Sequence, residues 1–309
     1  MKLLPMRCIR AAAACLLAIP AAACADKRAA GTAEVITVLN AGALARPIRA
    51  ALDSFARIDG LSNLRVEQEN AGSIETARKI TELGHTADVV ALADTALFSR
   101  LLAGAVAGPV VPLGRTRMVL AYTSRSRGAG EVSATNWYQI LTRPGVEVGR
   151  SDPALDPAGY RALFVFQLAE RHYGIDGLAA RLEEAAPPRN MRPKSADLVA
   201  LLQTGNLDYA WEYESVALTM GLKYLRLPPE IDLGEAADAA LYGSAHVVLR
   251  NHDSGEGRAP IVLTGAPIVF GAATLKSAVH GTIGARFITY MTSPAGRAVL
   301  ASYHLDQLQ

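Results

Sequence analysis

Hydrophobic and polar positions along the chain alternate between short strand-like runs and longer helix-like stretches. Residues 34–39 form a β-branched run typical of a strand. Residues 44–55 and 157–173 place apolar side chains at helical spacing. Segments 88–92 and 118–122 are almost continuously apolar, as expected of strands buried on both faces. Strands and helices in this alternation predict an α/β protein with parallel sheets.

The same pattern predicts the remaining elements. Helices are expected over 73–83, 95–102, 137–141, 195–203, 215–220, 285–291 and 294–301. Strands are expected over 64–67, 208–211 and 268–270, with a hairpin formed by 245–249 and 260–263.

The first 25 residues have the composition of an export signal. Basic residues near the start precede an apolar run over 11–19, which is too short to span a bilayer. All three cysteines lie in this segment, and Cys24 follows three small residues, where a lipoprotein signal places its acylated cysteine. Ordinary cleavage before Asp26 fits the same residues. Removal of the signal would leave an exported protein without an internal disulfide.

Composition excludes several classes of protein. The 309 residues are 50% hydrophobic and 19% charged, so the chain is neither disordered nor fibrous. The net charge is only +2, with no block of like charges, which argues against a nucleic-acid partner. No histidine lies at metal-ligand spacing, and no nucleophile-elbow, P-loop or dinucleotide motif is present. The sequence therefore offers weak support for an enzyme.

Four junctions share small or hydroxyl residues at the start of a predicted helix: Gly42-Ala43, Gly72-Ser73, Asp156–Gly159 and Lys194-Ser195. Free backbone N–H groups and the helix dipole attract anions at such positions. In α/β sheets these junctions face the crevice at the strand ends. Plain helix capping is the alternative at any one of them.

Several motifs, taken in order, resemble the tungstate/molybdate-binding proteins, the soluble receptors of oxyanion ABC importers. They are Asn136–Leu141, Gly149–Arg161, Gln167–Glu170, Arg192–Lys194, Asp208–Ala217, Leu227–Leu233 and Gly265–Gly271. The resemblance implies a periplasmic-binding-protein fold: two α/β lobes joined by two crossover segments, with the ligand cleft between them. We place lobe 1 at residues 34–117 plus 271–309 and lobe 2 at 118–270, with crossovers near 118–123 and 265–271.

The resemblance also implies a set of oxyanion-binding residues: Gly42, Ala43, Ser73, Asp156, Pro157, Ala158, Ser195 and Tyr213. Asp156 is similar to a carboxylate that approaches the metal of the oxyanion, although helix capping and acceptance from a protonated oxyanion are alternatives. Ala43 stands where the family has a serine. Ser195 appears in place of a second carboxylate. We therefore expect the anion to be held mainly by hydrogen bonds from the remaining groups.

These features together predict an exported, monomeric receptor that captures molybdate or tungstate and delivers it to a membrane permease, without catalysis and without a cofactor. Receptors for sulfate or phosphate, and a receptor-like sensor, are the nearest alternatives. A hydrolase using Asp156 or Glu212 as general acid or base is a further one. Glu212 and Glu214 are expected on one solvated face of a strand.

Overall fold

A computed structural model describes residues 34–58, 61, 63–249 and 260–308. The predicted signal over 1–25 and the lipidation site Cys24 lie outside these residues. Within the described ranges, no helix is long and apolar enough to cross a membrane.

The strands in the described residues are β1 (Val35–Ala41), β2 (Arg65–Ala71), β3 (Val89–Leu92), β4 (Val111–Arg115), β5 (Met118–Tyr122), β6 (Val148–Ser151), β7 (Met191–Arg192), β8 (Tyr209–Tyr213), β9 (Lys223–Arg226), β10 (His246–Leu249), β11 (Ile261–Thr264) and β12 (Val269–Thr274). The helices are α1 (Ala45–Phe55), α2 (Ser73–Thr81), α3 (Ala96–Leu101), α4 (Trp137–Leu141), α5 (Pro157–Tyr173), α6 (Leu178–Ala185), α7 (Leu198–Thr204), α8 (Glu214–Thr219), α9 (Pro229–Asp232), α10 (Ala239–Tyr242), α11 (Gly281–Thr292) and α12 (Pro294–Ser302). Short 3-10 turns cover Gly42–Leu44, Pro188–Asn190, Ser195–Asp197 and Ala236–Asp238.

Two five-stranded sheets divide these elements into two lobes. The sheet of lobe 1 has the order β2-β1-β3-β12-β4, in which β1 runs parallel to β2 and β3 while β12 is antiparallel to both of its neighbours. The sheet of lobe 2 has the order β7-β6-β8-β5-β9, with β6 parallel to β7 and β8. Strands β10 and β11 form a separate antiparallel hairpin. The α/β class and the two-lobed fold predicted from the sequence are confirmed.

The chain passes between the sheets twice, and both passages are shorter than predicted. The first is confined to residues 116–117, because 118–122 form β5 and pair with β8. The second lies between β11 and β12, at residues 265–268. Val269 and Phe270 already pair with β4, so lobe 2 ends before the predicted residue 270. The backbone N–H of Thr116 donates to the carbonyl of Ile268 at 3.4 Å, which ties the two passages together.

Each lobe has its own aromatic core. In lobe 1, the ring of Phe55 on α1 lies 5.4 Å from that of Phe287 on α11. In lobe 2, Trp211 on β8 packs edge-on against Trp137 and Phe166, with ring centroids 5.5 and 5.2 Å away. Such aromatic pairs bury large apolar areas and hold the helices at defined angles to the sheets. The two rigid lobes therefore present their loops to one another across a cleft.

Candidate functional site

The predicted site residues come together where the two lobes face each other. Gly42 and Ala43 lie in the turn after β1, and Ser73 begins α2, so these three belong to lobe 1. Asp156, Pro157 and Ala158 form the start of α5, Ser195 opens the turn before α7, and Tyr213 ends β8, all in lobe 2. Ala43 is half-buried and the other seven are buried. The structure thus brings together residues that are up to 171 positions apart in the sequence (Gly42 to Tyr213).

The lobes are closed on each other beside this site. The carbonyl of Leu155, in lobe 2, accepts hydrogen bonds from the backbone N–H groups of Ile74 (3.0 Å) and Glu75 (3.2 Å) in lobe 1. Leu155 therefore caps the N-terminus of α2 across the cleft. Nearby, the Lys194 ammonium donates to Asn70 Oδ1 of lobe 1 at 3.0 Å. The two lobes approach so closely that only glycine fits at position 72, where a Cβ atom would lie 2.3 Å from the Leu155 oxygen.

Two buried hydroxyl groups are oriented as donors. Ser73 Oγ accepts from the backbone N–H of Ala93 at 3.0 Å. Tyr213 Oη accepts from Arg161 Nη1 at 2.7 Å. Burial raises the pKa of Tyr213, so its hydroxyl keeps the proton. Because both oxygens act as acceptors in these contacts, both hydroxyl hydrogens are left to donate to a ligand.

Asp156 is a buried carboxyl group at the N-cap position of α5. Its side chain makes no capping hydrogen bond to α5, which it precedes. Instead Oδ2 accepts from the backbone N–H of Ser195 at 3.3 Å. Burial raises the pKa of Asp156 to about 6. The backbone N–H of Ala158 in the first turn of α5 lowers this pKa, so the capping role considered from the sequence stays open beside that of a ligand for the anion.

Glu212 is a second buried carboxylate, and the expectation of a solvated strand face for it is wrong. Glu212 is the penultimate residue of β8, a fully buried strand, and is only 1% exposed. Oε1 accepts from Ser195 Oγ (3.0 Å) and from the backbone N–H of Tyr213 (3.1 Å). Oε2 is buried without a partner in the part of the chain that the structure describes. Burial, reinforced by the charge of Asp156, raises the pKa of Glu212 to about 8.

Glu214 does not share this environment. Strand β8 ends at Tyr213 and α8 begins at Glu214, so the two glutamates are not on one strand face. Glu214 pairs instead with Arg117 Nε at 3.3 Å, next to the first crossover.

Ser195 joins the two carboxylates. Its N–H donates to Asp156 and its hydroxyl donates to Glu212. Ser195 contributes no carboxylate of its own, as expected, but Glu212 places a second buried carboxyl group against that serine. The sequence signal was a glutamate within the otherwise apolar and aromatic run of β8, where a buried charge is costly unless it has a function.

The electrostatics of the site are unusual for an anion pocket. Across residues 34–58, 61, 63–249 and 260–308, no salt bridge reaches Asp156 or Glu212. The nearby Arg161 pairs with Asp94, its Nη2 lying 3.3 Å from Oδ2. Lys194 is turned to Asn70. A tetrahedral dianion entering this pocket would meet two buried carboxyl groups without a salt-bridge partner in these ranges, although the charge of Arg161 lowers the pKa of Asp156.

The remaining predicted residues supply backbone and shape. Pro157 occupies the first position of α5, where its missing N–H costs nothing and its fixed φ suits a helix start. Ala158 follows in the same first turn and is fully buried. Gly42 lies against the Lys194 side chain, and a Cβ atom at position 42 would be 2.9 Å from Lys194 Cδ. Ala43 brings a methyl group rather than a hydroxyl to the cleft.

Comparison with known proteins agrees with this arrangement. Residues 36–306 match the profile of a family described as bacterial extracellular solute-binding protein. The chain is 31% identical over 301 residues to the molybdate/tungstate-binding protein WtpA of Pyrococcus abyssi, covering 90% of this chain and 85% of that protein.

Two solved structures share the fold. The periplasmic molybdate-binding protein of Azotobacter vinelandii superposes with a TM-score of 0.64 at 17% identity, over 89% of this chain and 100% of that one. The sulfate-binding protein SubI of Mycobacterium tuberculosis superposes with a TM-score of 0.63 at 13% identity, over 88% and 86%. At these identities the fold is shared, but the fold does not choose between anions.

Proposed function

The chain belongs to the bacterial extracellular solute-binding proteins, and from this premise we propose that it captures molybdate or tungstate and delivers it to the membrane permease of an ABC importer. The observation that carries the choice of anion is the pair of buried carboxylates, Asp156 and Glu212, bridged by Ser195.

Carboxylates repel a dianion unless they bind its central atom. Molybdenum(VI) and tungsten(VI) are hard centres that accept additional oxygen ligands, and carboxylate oxygens suit hard centres. Sulfur and phosphorus in sulfate and phosphate do not expand in this way. Oε2 of Glu212, which has no partner among the described residues, suits an oxyanion with an expandable metal centre. Binding of the metal would release the proton that the raised pKa of about 8 keeps on Glu212 at neutral pH.

In this proposal the two lobes contribute different groups. Asp156 and Glu212 of lobe 2 approach the metal, and the Tyr213 hydroxyl donates to an oxo group. Ser73 of lobe 1 donates from the opposite side, oriented by Ala93. The N-terminal end of α5, at Pro157 and Ala158, adds the favourable end of a helix dipole. Ligand binding would close the hinge at the two crossovers, and the closed form would dock on the permease.

The relatives that define the family are solute-binding proteins rather than enzymes. We propose that this chain likewise makes and breaks no bonds. The family also implies a location outside the cytoplasmic membrane. We propose that residues 1–25 direct export, with Cys24 either acylated or removed, and the mass of the mature N-terminus distinguishes the two.

Calorimetric titration of the anion-free chain lacking residues 1–25 tests the proposed ligand. Molybdate and tungstate are expected to bind tightly with one-to-one stoichiometry, while sulfate and phosphate produce no heat of binding. Sulfate or phosphate binding as tightly as molybdate would contradict the role given to the two carboxylates and favour the alternative receptor.

The raised pKa values of the carboxylates also predict how stability varies with pH. A carboxyl whose pKa is higher in the folded than in the unfolded protein stabilises the fold when protonated, and this stability is lost as the pH rises. For Asp156 the change runs from 3.8 to about 6, and for Glu212 from 4.5 to about 8. The free energy of unfolding of the anion-free protein is therefore expected to fall between pH 4 and pH 8.

Denaturant unfolding at a series of pH values measures this effect. The Glu212→Gln variant is the internal control, because it removes the group that titrates near pH 8 and should flatten the upper part of the fall. A free energy of unfolding that rises over the same interval would contradict the raised pKa values of the two carboxyl groups. A Glu212→Gln variant whose pH dependence of stability equals that of wild type would contradict the raised pKa of Glu212.

A further inference from the structure

Asp94, Tyr160 and Arg161 form a contact between the lobes beside the anion site, which we call the latch. Asp94 follows β3 in lobe 1, whereas Tyr160 and Arg161 lie in the first turns of α5 in lobe 2. We propose that the latch holds the cleft closed over the anion and that closure ties Arg161, which positions Tyr213, to lobe 1. This inference rests on the proposed function, since it concerns how that site is regulated.

The latch consists of three polar contacts across the cleft. Arg161 Nη1 donates to the carbonyl of Ala93 at 2.6 Å, and Nη2 lies 3.3 Å from Asp94 Oδ2. The Tyr160 hydroxyl donates to the same carboxylate oxygen. Arg161 is only 3% exposed. A guanidinium this deeply buried depends on its partners, because an uncompensated buried charge is strongly destabilising.

The latch is continuous with the anion donors on both sides. Arg161 Nη1 also donates to the Tyr213 hydroxyl, and the N–H of Ala93 donates to Ser73 Oγ. One chain of hydrogen bonds therefore runs from Ser73 through Ala93 and Arg161 to Tyr213, crossing from lobe 1 to lobe 2. Opening the cleft would break it between Ala93 and Arg161, because Arg161 and Tyr213 both remain on lobe 2.

This arrangement has a kinetic consequence. An anion must enter the open cleft, where Arg161 has lost its lobe 1 partners, so the latch acts after encounter. It should therefore slow dissociation far more than it speeds association, as is usual for short-range contacts. Asp94 also offsets the charge of Arg161, so that the closed pocket does not become generally attractive to anions.

Asp94→Asn is the primary test. Asparagine keeps the shape of the side chain and can still accept the Ala96 N–H, which Asp94 Oδ1 binds at 2.9 Å at the start of α3. It removes the charge opposite Arg161. Stopped-flow measurement of molybdate dissociation is expected to show a rate about 10- to 100-fold higher than wild type, with association changed by less than about threefold. Tyr160→Phe, which removes one contact, should show a smaller increase.

Glu131→Gln is the matched control, because it neutralises a carboxylate that pairs with Arg143 at 2.9 Å on the surface of a single lobe. Its dissociation rate should equal that of wild type. Small-angle scattering with saturating molybdate should show a less compact Asp94→Asn protein, and thermal unfolding without anion should confirm that each variant folds. If Asp94 had a purely structural role, Asp94→Asn would lower the unfolding temperature but would not raise the dissociation rate more than it changes the association rate.

The possible failures are distinguishable. A wild-type chain that binds neither molybdate nor tungstate overturns the proposed function and the latch with it. Wild-type binding with dissociation unchanged in both Asp94→Asn and Tyr160→Phe overturns the latch alone.

Discussion

Replacing Glu212 by glutamine is expected to weaken molybdate binding by more than about 100-fold, since loss of groups that only support metal ligands already costs 10- to 100-fold. Glutamine retains an oxygen to accept from Ser195 and Tyr213, so the local hydrogen bonds can persist. The substitution removes Oε2, which is buried without a partner in the described part of the chain and would carry negative charge once the metal displaces the proton of Glu212. A neutral amide is a poor ligand for a hard, highly charged metal centre.

Folding and binding can be separated in this experiment. Glu212 is destabilising when ionised, because burial raises its pKa to about 8. The variant should therefore be at least as stable as wild type at pH values above 8, even though calorimetry detects weaker binding. Glu184→Gln is a suitable control, because this glutamate is exposed on α6 of the same lobe.

The same measurement tests the expectation formed from the sequence. If Glu212→Gln binds molybdate as wild type does, the anion is held by hydrogen bonds alone, as the apparent loss of a carboxylate at Ser195 suggested. A large loss of molybdate binding in both Glu212→Gln and Asp156→Asn would instead support two direct carboxylate contacts.

Replacing Gly72 by alanine is expected to weaken molybdate binding by about 10- to 100-fold for a different reason, because the added methyl group obstructs closure of the lobes. The backbone at Gly72 has φ −63° and ψ 149°, which alanine adopts without strain. The added methyl group, however, would lie 2.3 Å from the carbonyl oxygen of Leu155 and 3.0 Å from that of Pro193, both in lobe 2. Relieving such overpacking typically costs 1–3 kcal/mol, and each 1.4 kcal/mol is tenfold in affinity.

Calorimetry and small-angle scattering together check this prediction. Gly72→Ala should bind molybdate more weakly and remain less compact at saturation, while its unfolding without anion resembles that of wild type. Gly104→Ala is the matched control, because an added Cβ there has no neighbour within 4 Å. Wild-type affinity and compaction in Gly72→Ala would show that the lobes do not need this close approach to hold the anion.

Much of the fold was predictable because its signals are local. The predicted helix over 157–173 matches α5 at both ends, since Asp156-Pro157 opens it and Gly174, with φ 62°, closes it. Strands β4, β6, β7 and β9 were missed. They are short, and β6 contains Gly149 and Arg150, so neither alternation nor an apolar run marks it. Pairing with β8 and β7, which is not a local property, makes it a strand.

The site was predicted in part for the same reason. Ser73 and Asp156 stand at helix starts, which sequence patterns reveal, whereas Tyr213 lies beyond the predicted strand 208–211 and was assigned by the family resemblance alone. The position of Glu212 depends on β8 continuing to Tyr213 inside a sheet covered on both faces, and on Ser195 arriving from a turn 17 positions away. Similarly, two partners of Arg161, Asp94 and Ala93, are in lobe 1, 67 and 68 positions away in sequence.

The sequence by itself determined the α/β class, the two-lobed family and the chain segments that meet at the cleft, because helix starts, strand composition and motif order are properties of neighbouring residues. Only the tertiary structure decided which carboxylates share the pocket, which hydroxyl hydrogens are free, and which residues join the lobes. The burial and the hydrogen-bond partners of a side chain depend on contacts between segments that are distant in the sequence. These contacts set the charge of the site.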